Sequence, residues 1–191
     1  MNYRKLFKIA LLLISSPAKA WEEISFHEDK RSVFTDFVYP MIGFCGLSVF
    51  VGSLLTNGWG GPLSFQIAMT RCCAVAVALF GGYFLAAYII NYLGIKFFGL
   101  PKDLLLVQQF VGYSMVVTFL INIVTGVLPD FTIIGWLAQF YLVYVVWEGV
   151  PVLIPVSHAK RLSFTLAASI LLIFSPAVIM LIFNKLTAIL N

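Results

Sequence analysis

The side chains that could carry chemistry are few, and the most telling lie in one stretch, Trp136 to Arg161, reading WLAQFYLVYVVWEGVPVLIPVSHAKR. Glu148 is the only acidic residue inside a long apolar segment. A carboxylate in hydrocarbon is costly unless it is paired or protonated. It therefore marks a candidate site, either for ion, proton or substrate handling or as a polar lock between helices. Tyr144 and Tyr141 precede it by one and two helical turns on the same face, so both are candidate hydrogen-bond donors to it. At 1.5 Å per residue, Glu148 lies about 22 Å along a helix starting near Ile133, toward one rim of a hydrocarbon core about 30 Å thick. Asn91, Tyr92, Gln108, Gln109, Tyr113 and Lys160 or Arg161 fall at that level. Arg71 falls at the opposite edge and is better placed for Asp130. A rim position favours the structural lock over ion handling.

Other chemistries find little support. The chain has no HExxH, no GxSxG and no paired carboxylates within an apolar run. Cys45 lies in an apolar run, Cys72 and Cys73 are adjacent, and His27 and His158 are far apart. None of this has metal-ligand spacing, so no metal, cofactor or catalytic residue is expected. No basic run carries interleaved aromatics, which argues against nucleic acid.

The elements that must position these residues are membrane helices. The 191 residues are 61% hydrophobic and only 10% charged, against roughly a quarter charged in a soluble domain. So much apolar surface needs lipid as its solvent. Five apolar runs follow a polar start, at about 37–55, 68–93, 107–128, 133–153 and 163–183. They are too long for barrel strands, which predicts an all-α polytopic membrane protein with five transmembrane helices. The run Thr56 to Pro62, dense in glycine, is the turn after the first. Residues 34–191 form the transmembrane domain and 1–33 a cytoplasmic or interfacial segment. In span 2, Ala74, Ala78, Gly82 and Ala86 recur every four residues and make a flat helix-packing face. Ser48 and Gly52 are a shorter version in span 1, which suggests that spans 1 and 2 pair.

Basic residues set the orientation. Arg4, Lys5, Lys8, Lys19, Lys30 and Arg31 precede span 1, and Lys96, Lys102, Lys160 and Arg161 occupy the loops after spans 2 and 4. Only Arg71 and Lys185 fall on the other side. The positive-inside rule puts the N-terminus in the cytoplasm and the C-terminus across the membrane. Residues 1–20 have the basic start and the Ala18-Lys19-Ala20 ending of a signal peptide, but Ile9 to Ile14 is a short apolar core. Tyr3, Phe7, Ala10 and Ile14 fit an interfacial amphipathic helix instead. Ser16 would cap the next helix with Pro17 at its first position. Trp21 suits the headgroup region. His27 to Ser32 reads as a solvated connection.

Several short motifs, taken in order, resemble the Yip1-domain family, in its bacterial branch. Ser16 to Ile24 (SPAKAWEEI) resembles the family's proline–aromatic opening, and Gly112-Tyr113-Ser114 its central GY motif. Tyr141 to Leu153 with the basic stretch Ser157 to Arg161 is similar to the fourth span and following loop. Asp36 and Pro40 have the spacing of the ends of the DLYGP motif. The resemblance runs from about residue 7 to 183. It implies a five-helix integral membrane protein of the bacterial inner membrane, acting without enzymatic chemistry by binding partner proteins or organising the membrane. The lipid bilayer is then the first partner, with membrane or cytoplasmic proteins or further copies of the chain as others. The alternative is a small ion, proton or solute transporter or channel using Glu148.

Overall fold

A computed structural model of the chain describes residues 3–59 and 61–190, so Gly60 of the expected turn and the outermost residues of the two expected segments lie outside it. Every regular element among the described residues is helical. Two short helices, α1 (Tyr3–Ser15) and α2 (Pro17–His27), come first. Then come α3 (Tyr39–Asn57), α4 (Pro62–Leu93), α5 (Leu104–Ser114) and α6 (Val116–Val127). The chain closes with α7 (Thr132–Ala138), α8 (Tyr141–Leu153) and α9 (Arg161–Leu190). One π-turn, Phe34–Val38, leads into α3, and another, Gly94–Phe98, extends α4. Gly58 and Gly99 end these two helices at φ 82° and 74°, where a side chain would be strained.

Four helices are long and apolar enough to cross a membrane: Phe34–Asn57, Leu63–Phe98, Leu104–Val127 and His158–Ile189. These are the first, second, third and fifth expected spans. The fourth is not one straight helix. Pro129–Ala138 and Tyr141–Leu153 meet at a 41° bend. Tight bonds from Phe140 N–H to Leu137 and from Leu142 N–H to Gln139 carry the chain through the break. The Gln139 amide donates to Thr118 Oγ1 of α6 at 2.9 Å, which anchors the bend to a neighbouring span. The chain is thus an all-α polytopic membrane protein.

Glycines decide which spans touch. A Cβ on Gly52 of α3 would land on the backbone carbonyl of Gly126 of α6, and one on Gly126 would lie 3.0 Å from Val49. A Cβ on Gly82 of α4 would lie 2.7 Å from the Cα, Cγ and N of Pro176 in α9. The close approach of Gly52 therefore serves span 3 rather than span 2. Spans 1 and 2 meet elsewhere, with Gly46 beside Cys72. Ala74, Ala78 and Ala86 are buried on α4, and Gly82 among them seats the proline of the fifth span.

The N-terminal helices fold back on each other as an antiparallel hairpin with its tip at Ser15–Ser16. Lys8 Nζ meets Glu23 Oε1 at 2.6 Å and Lys5 Nζ meets Glu28 Oε1 at 2.8 Å across it. Pro17 opens α2 as expected, but the Ser16 side chain makes no capping bond; its carbonyl accepts from Ala20 N–H instead. The buried stripe of α1 also differs from the one read in sequence. It is Leu6, Ile9, Ala10 and Leu13, while Tyr3 and Phe7 stay about half exposed with their rings against Phe44 of α3. The helix has two apolar sides, and the bundle takes the aliphatic one.

A third ion pair, Lys30 Nζ to Asp103 Oδ2 at 2.9 Å, ties the hairpin's exit to the start of α5. Asp103 also caps that helix through Leu106 N–H. The hydrogen bond from Lys8 holds the Glu23 carboxyl below its ordinary range, and those from Lys30 and Leu106 N–H do the same for Asp103. A depressed carboxyl pKa stabilises the folded form above the unfolded value, about 4, and that contribution is lost as pH falls through the folded value. Amide-exchange protection of the hairpin, corrected for the intrinsic rate at each pH, should therefore be flat from about pH 8 to 5 and weaken below about pH 4. Uniform protection down to about pH 3 would show that these pairs do not hold it.

Candidate functional site

The hairpin is joined to the bundle through Trp21, which is 0% exposed. The sequence places this tryptophan at the headgroups; the structure places it inside the protein. On α2, Pro17, Ala20, Trp21 and Ile24 form the inward stripe. The indole Nε1–H donates to the Val145 carbonyl of α8 at 2.8 Å. The ring stacks on Phe110 of α5 with centroids 5.6 Å apart and meets Tyr113 edge-on at 6.3 Å. Gly149 leaves room for it: a Cβ there would lie 2.5 Å from Trp21 Cε2. Burial satisfies the indole N–H and removes a large apolar surface from solvent, which the headgroup region would do only in part.

Beside this joint is a cavity of about 230 Å³ lined by Lys5, Leu6, Ile9, Glu28, Asp36, Phe37 and Tyr113. The Glu28 side chain is only 5% exposed and paired with Lys5, so the connection from His27 to Ser32 is not simply solvated. It turns one carboxylate inward and leaves Asp29, Lys30 and Arg31 outside. Gln109, fully buried on α5, donates to the Glu28 carbonyl at 3.3 Å. Phe37 packs on Tyr113 with centroids 4.7 Å apart. One ammonium, two carboxylates and a phenol at the hairpin's open end can fix the hairpin electrostatically and accept a polar group from outside.

The set expected around Glu148 is divided by the fold. Gln109 and Tyr113 belong to the cavity at Glu28. Tyr141 donates its hydroxyl to the Ile14 carbonyl at the hairpin tip, at 2.7 Å. Its ring lies 5.5 Å from that of Tyr144, which is 46% exposed. Asn91 Oδ1 is buried without a hydrogen-bond partner among the described residues. Arg161 approaches the residue before Glu148 instead. Its guanidinium lies 4.0 Å from the Trp147 ring centroid and donates to the Trp147 carbonyl at 2.8 Å. Glu148 is half-buried, and its carboxylate forms no hydrogen bond or ion pair among the described residues. The pairing expected between Arg71 and Asp130 is not made among them either. Helical spacing aligned Tyr141 and Tyr144 with Glu148, but an accepting backbone carbonyl packed closer to Tyr141.

Sequence reasoning passed over Lys5, Glu28 and the buried role of Trp21. The stripe Pro17, Ala20, Trp21, Ile24 was a readable signal, because an interfacial tryptophan needs only one apolar edge whereas this helix has a complete face. Glu28 carried no signal of its own. Among the described residues no three His, Cys, Asp or Glu side chains gather as a metal site would require, and Cys45, Cys72 and Cys73 are free thiols.

Among curated proteins and among solved structures no match to this chain is found. The family model for the Yip1 domain matches residues 11–180, which take in the hairpin tip, Trp21, Tyr113, Gly149 and every span but the end of the last. With four helices long and apolar enough to cross a membrane, a bent helix pair beside them and an N-terminal hairpin locked against the bundle, this chain belongs to the Yip1-domain family.

Proposed function

We infer that this protein is a non-enzymatic binding platform of the bacterial inner membrane, with its N-terminus in the cytoplasm and its hairpin presented to a protein partner there. The observation that carries this reading is Phe26. The other large apolar residues of α2, Trp21 and Ile24, are buried, yet Phe26 at the end of the same helix is 83% exposed among exposed Glu22, Ser25 and His27. A rigidly held aromatic in a polar surround is the usual form of a contact anchor. The excess of basic residues on the loops flanking this end supports the orientation. The test is photocrosslinking in native membranes from a benzoylphenylalanine placed at Phe26, with Lys102 as the control position. A discrete protein adduct specific to position 26 is expected; adducts to lipid alone, or the same pattern at both positions, would refute the platform.

The alternative is transport through Glu148, favoured by one observation: a half-buried carboxylate without a partner among the described residues, on the second arm of the bent helix pair. Proton or cation flux in proteoliposomes that is abolished by Glu148→Gln would replace the first reading with this one.

A further inference from the structure

At the opposite end of the bundle from the hairpin, two cavities meet. One, of about 270 Å³, is lined by Ser53, Thr56, Arg71, Asn122 and Thr125 with the flanking Gly52, Gly126 and Pro129. The other, of about 330 Å³, is largely apolar, with Leu79, Ile121, Trp136, Ile173, Ala177 and Met180 on its walls. Val75, Asn122 and Thr125 line both, so the two cavities adjoin across these side chains. The apolar part lies against α7, where the 41° bend sets this half of span 4 at an angle to α8.

Arg71 is the decisive group. It is exposed, the one charged residue of α4, about 14 Å along that helix from its start, and pairs with no carboxylate among the described residues. Asp130, one residue past the lining Pro129, is exposed and makes no ion pair with it. Its helix is 36 residues long, well beyond the roughly 20 needed to cross the hydrocarbon core, so Arg71 falls near the membrane edge, where a long side chain can reach a headgroup anion. The neighbours limit what binds. The hydroxyl protons of Thr56 and Thr125 are used on carbonyls of their own helices, and one Asn122 amide proton on Thr118. Ser53 Oγ accepts from Asn57 and keeps its proton. Free donors therefore come from Arg71, Ser53 and the second amide proton of Asn122, all suited to phosphate oxygens.

We propose that these adjoining cavities are a binding site for an anionic glycerophospholipid drawn from the surrounding bilayer. The phosphate is held by Arg71, and one acyl chain lies in the groove under Trp136. The site sits on the face away from the hairpin and is independent of the partner-binding reading.

The experiment uses the full chain, purified and delipidated in detergent. Native mass spectrometry measures retention of phosphatidylglycerol against phosphatidylcholine with the same acyl chains. At least a tenfold preference for phosphatidylglycerol is expected for the natural sequence; equal retention overturns the proposal before any variant is made. Arg71→Gln should erase the preference and Arg71→Lys should keep most of it, and a preference undiminished in Arg71→Gln also overturns it. Ala177→Phe, which fills the groove, should lower retention of both lipids. Soluble glycerol 3-phosphate should not compete; full competition would show a free-phosphate site and not a lipid site.

Discussion

Replacing Trp21 with alanine is expected to release the hairpin from the bundle. The substitution removes the indole bond to Val145, the stack on Phe110 and the edge contact with Tyr113. Truncating a fully buried tryptophan costs about 3–5 kcal/mol. At about 1.4 kcal/mol per tenfold, even the lower figure raises the open population roughly a hundredfold. Trypsin should then cut at Lys19 and Lys30 far faster than in the natural chain while α4 and α9 stay intact. Trp21→Phe should lose only about 1 kcal/mol, because the Val145 carbonyl keeps its place in the α8 ladder. Gly149→Ala attacks the same joint from the other side, with a Cβ 2.5 Å from the ring, and should reproduce the release in milder form, at about 1–3 kcal/mol. If Trp21→Ala leaves cleavage rates unchanged, the hairpin is held by its ion pairs and not by the tryptophan.

The second large effect is expected at Gly52. Its added methyl would meet the Gly126 carbonyl, a backbone group that cannot rotate away, so α3 and α6 would have to separate along their length. Overpacking of this kind costs about 1–3 kcal/mol, and a backbone obstacle puts it at the upper end or beyond. Gly43 in the same helix is the matched control, with nothing within 4 Å of an added methyl. There alanine should be neutral or stabilising by up to about 1 kcal/mol, through helix propensity. Thermal unfolding in detergent should show a clear loss for Gly52→Ala and none for Gly43→Ala. Equal midpoints for the two variants would mean that spans 1 and 3 do not pack through this glycine.

Three of the four sequence motifs that resemble the family acquire a common meaning in the fold. Tyr113 from the GY pair and Gly149 from the Tyr141–Leu153 stretch both lie against Trp21 from the SPAKAWEEI opening. The glycine admits the indole, and the tyrosine closes its edge. Gly112 serves the same region, since a Cβ there would lie 2.9 Å from Val33 and Val38. Read in sequence, these were separate short patterns. In space they build the joint between the hairpin and the membrane helices, and the polar cavity with Glu28 lies directly beside it.

Glu148 illustrates the reverse case. Its rarity and helical register with Tyr141 and Tyr144 were plain in the sequence, yet neither tyrosine bonds to it. Both the tyrosines and the glutamate sit on one helix face, but register within a helix says nothing about which foreign groups come nearest. Tyr141 met the carbonyl of Ile14, a residue 127 positions away. Arg161 met the Trp147 ring and carbonyl.

Composition and hydropathy alone determined that this chain lives in a bilayer, that it is helical, and roughly where it crosses. Those properties follow from sums over about 20 neighbouring residues and from the need to satisfy backbone groups in hydrocarbon. The tertiary structure alone decided that Trp21 is a core residue, that Glu28 turns inward, that span 4 breaks at Gln139, and that Gly52 serves span 3. Each of these depends on close approach between segments far apart in the chain, 124 positions for Trp21 and Val145. Such approaches are set by the shapes of both surfaces at once, and no local periodicity encodes them.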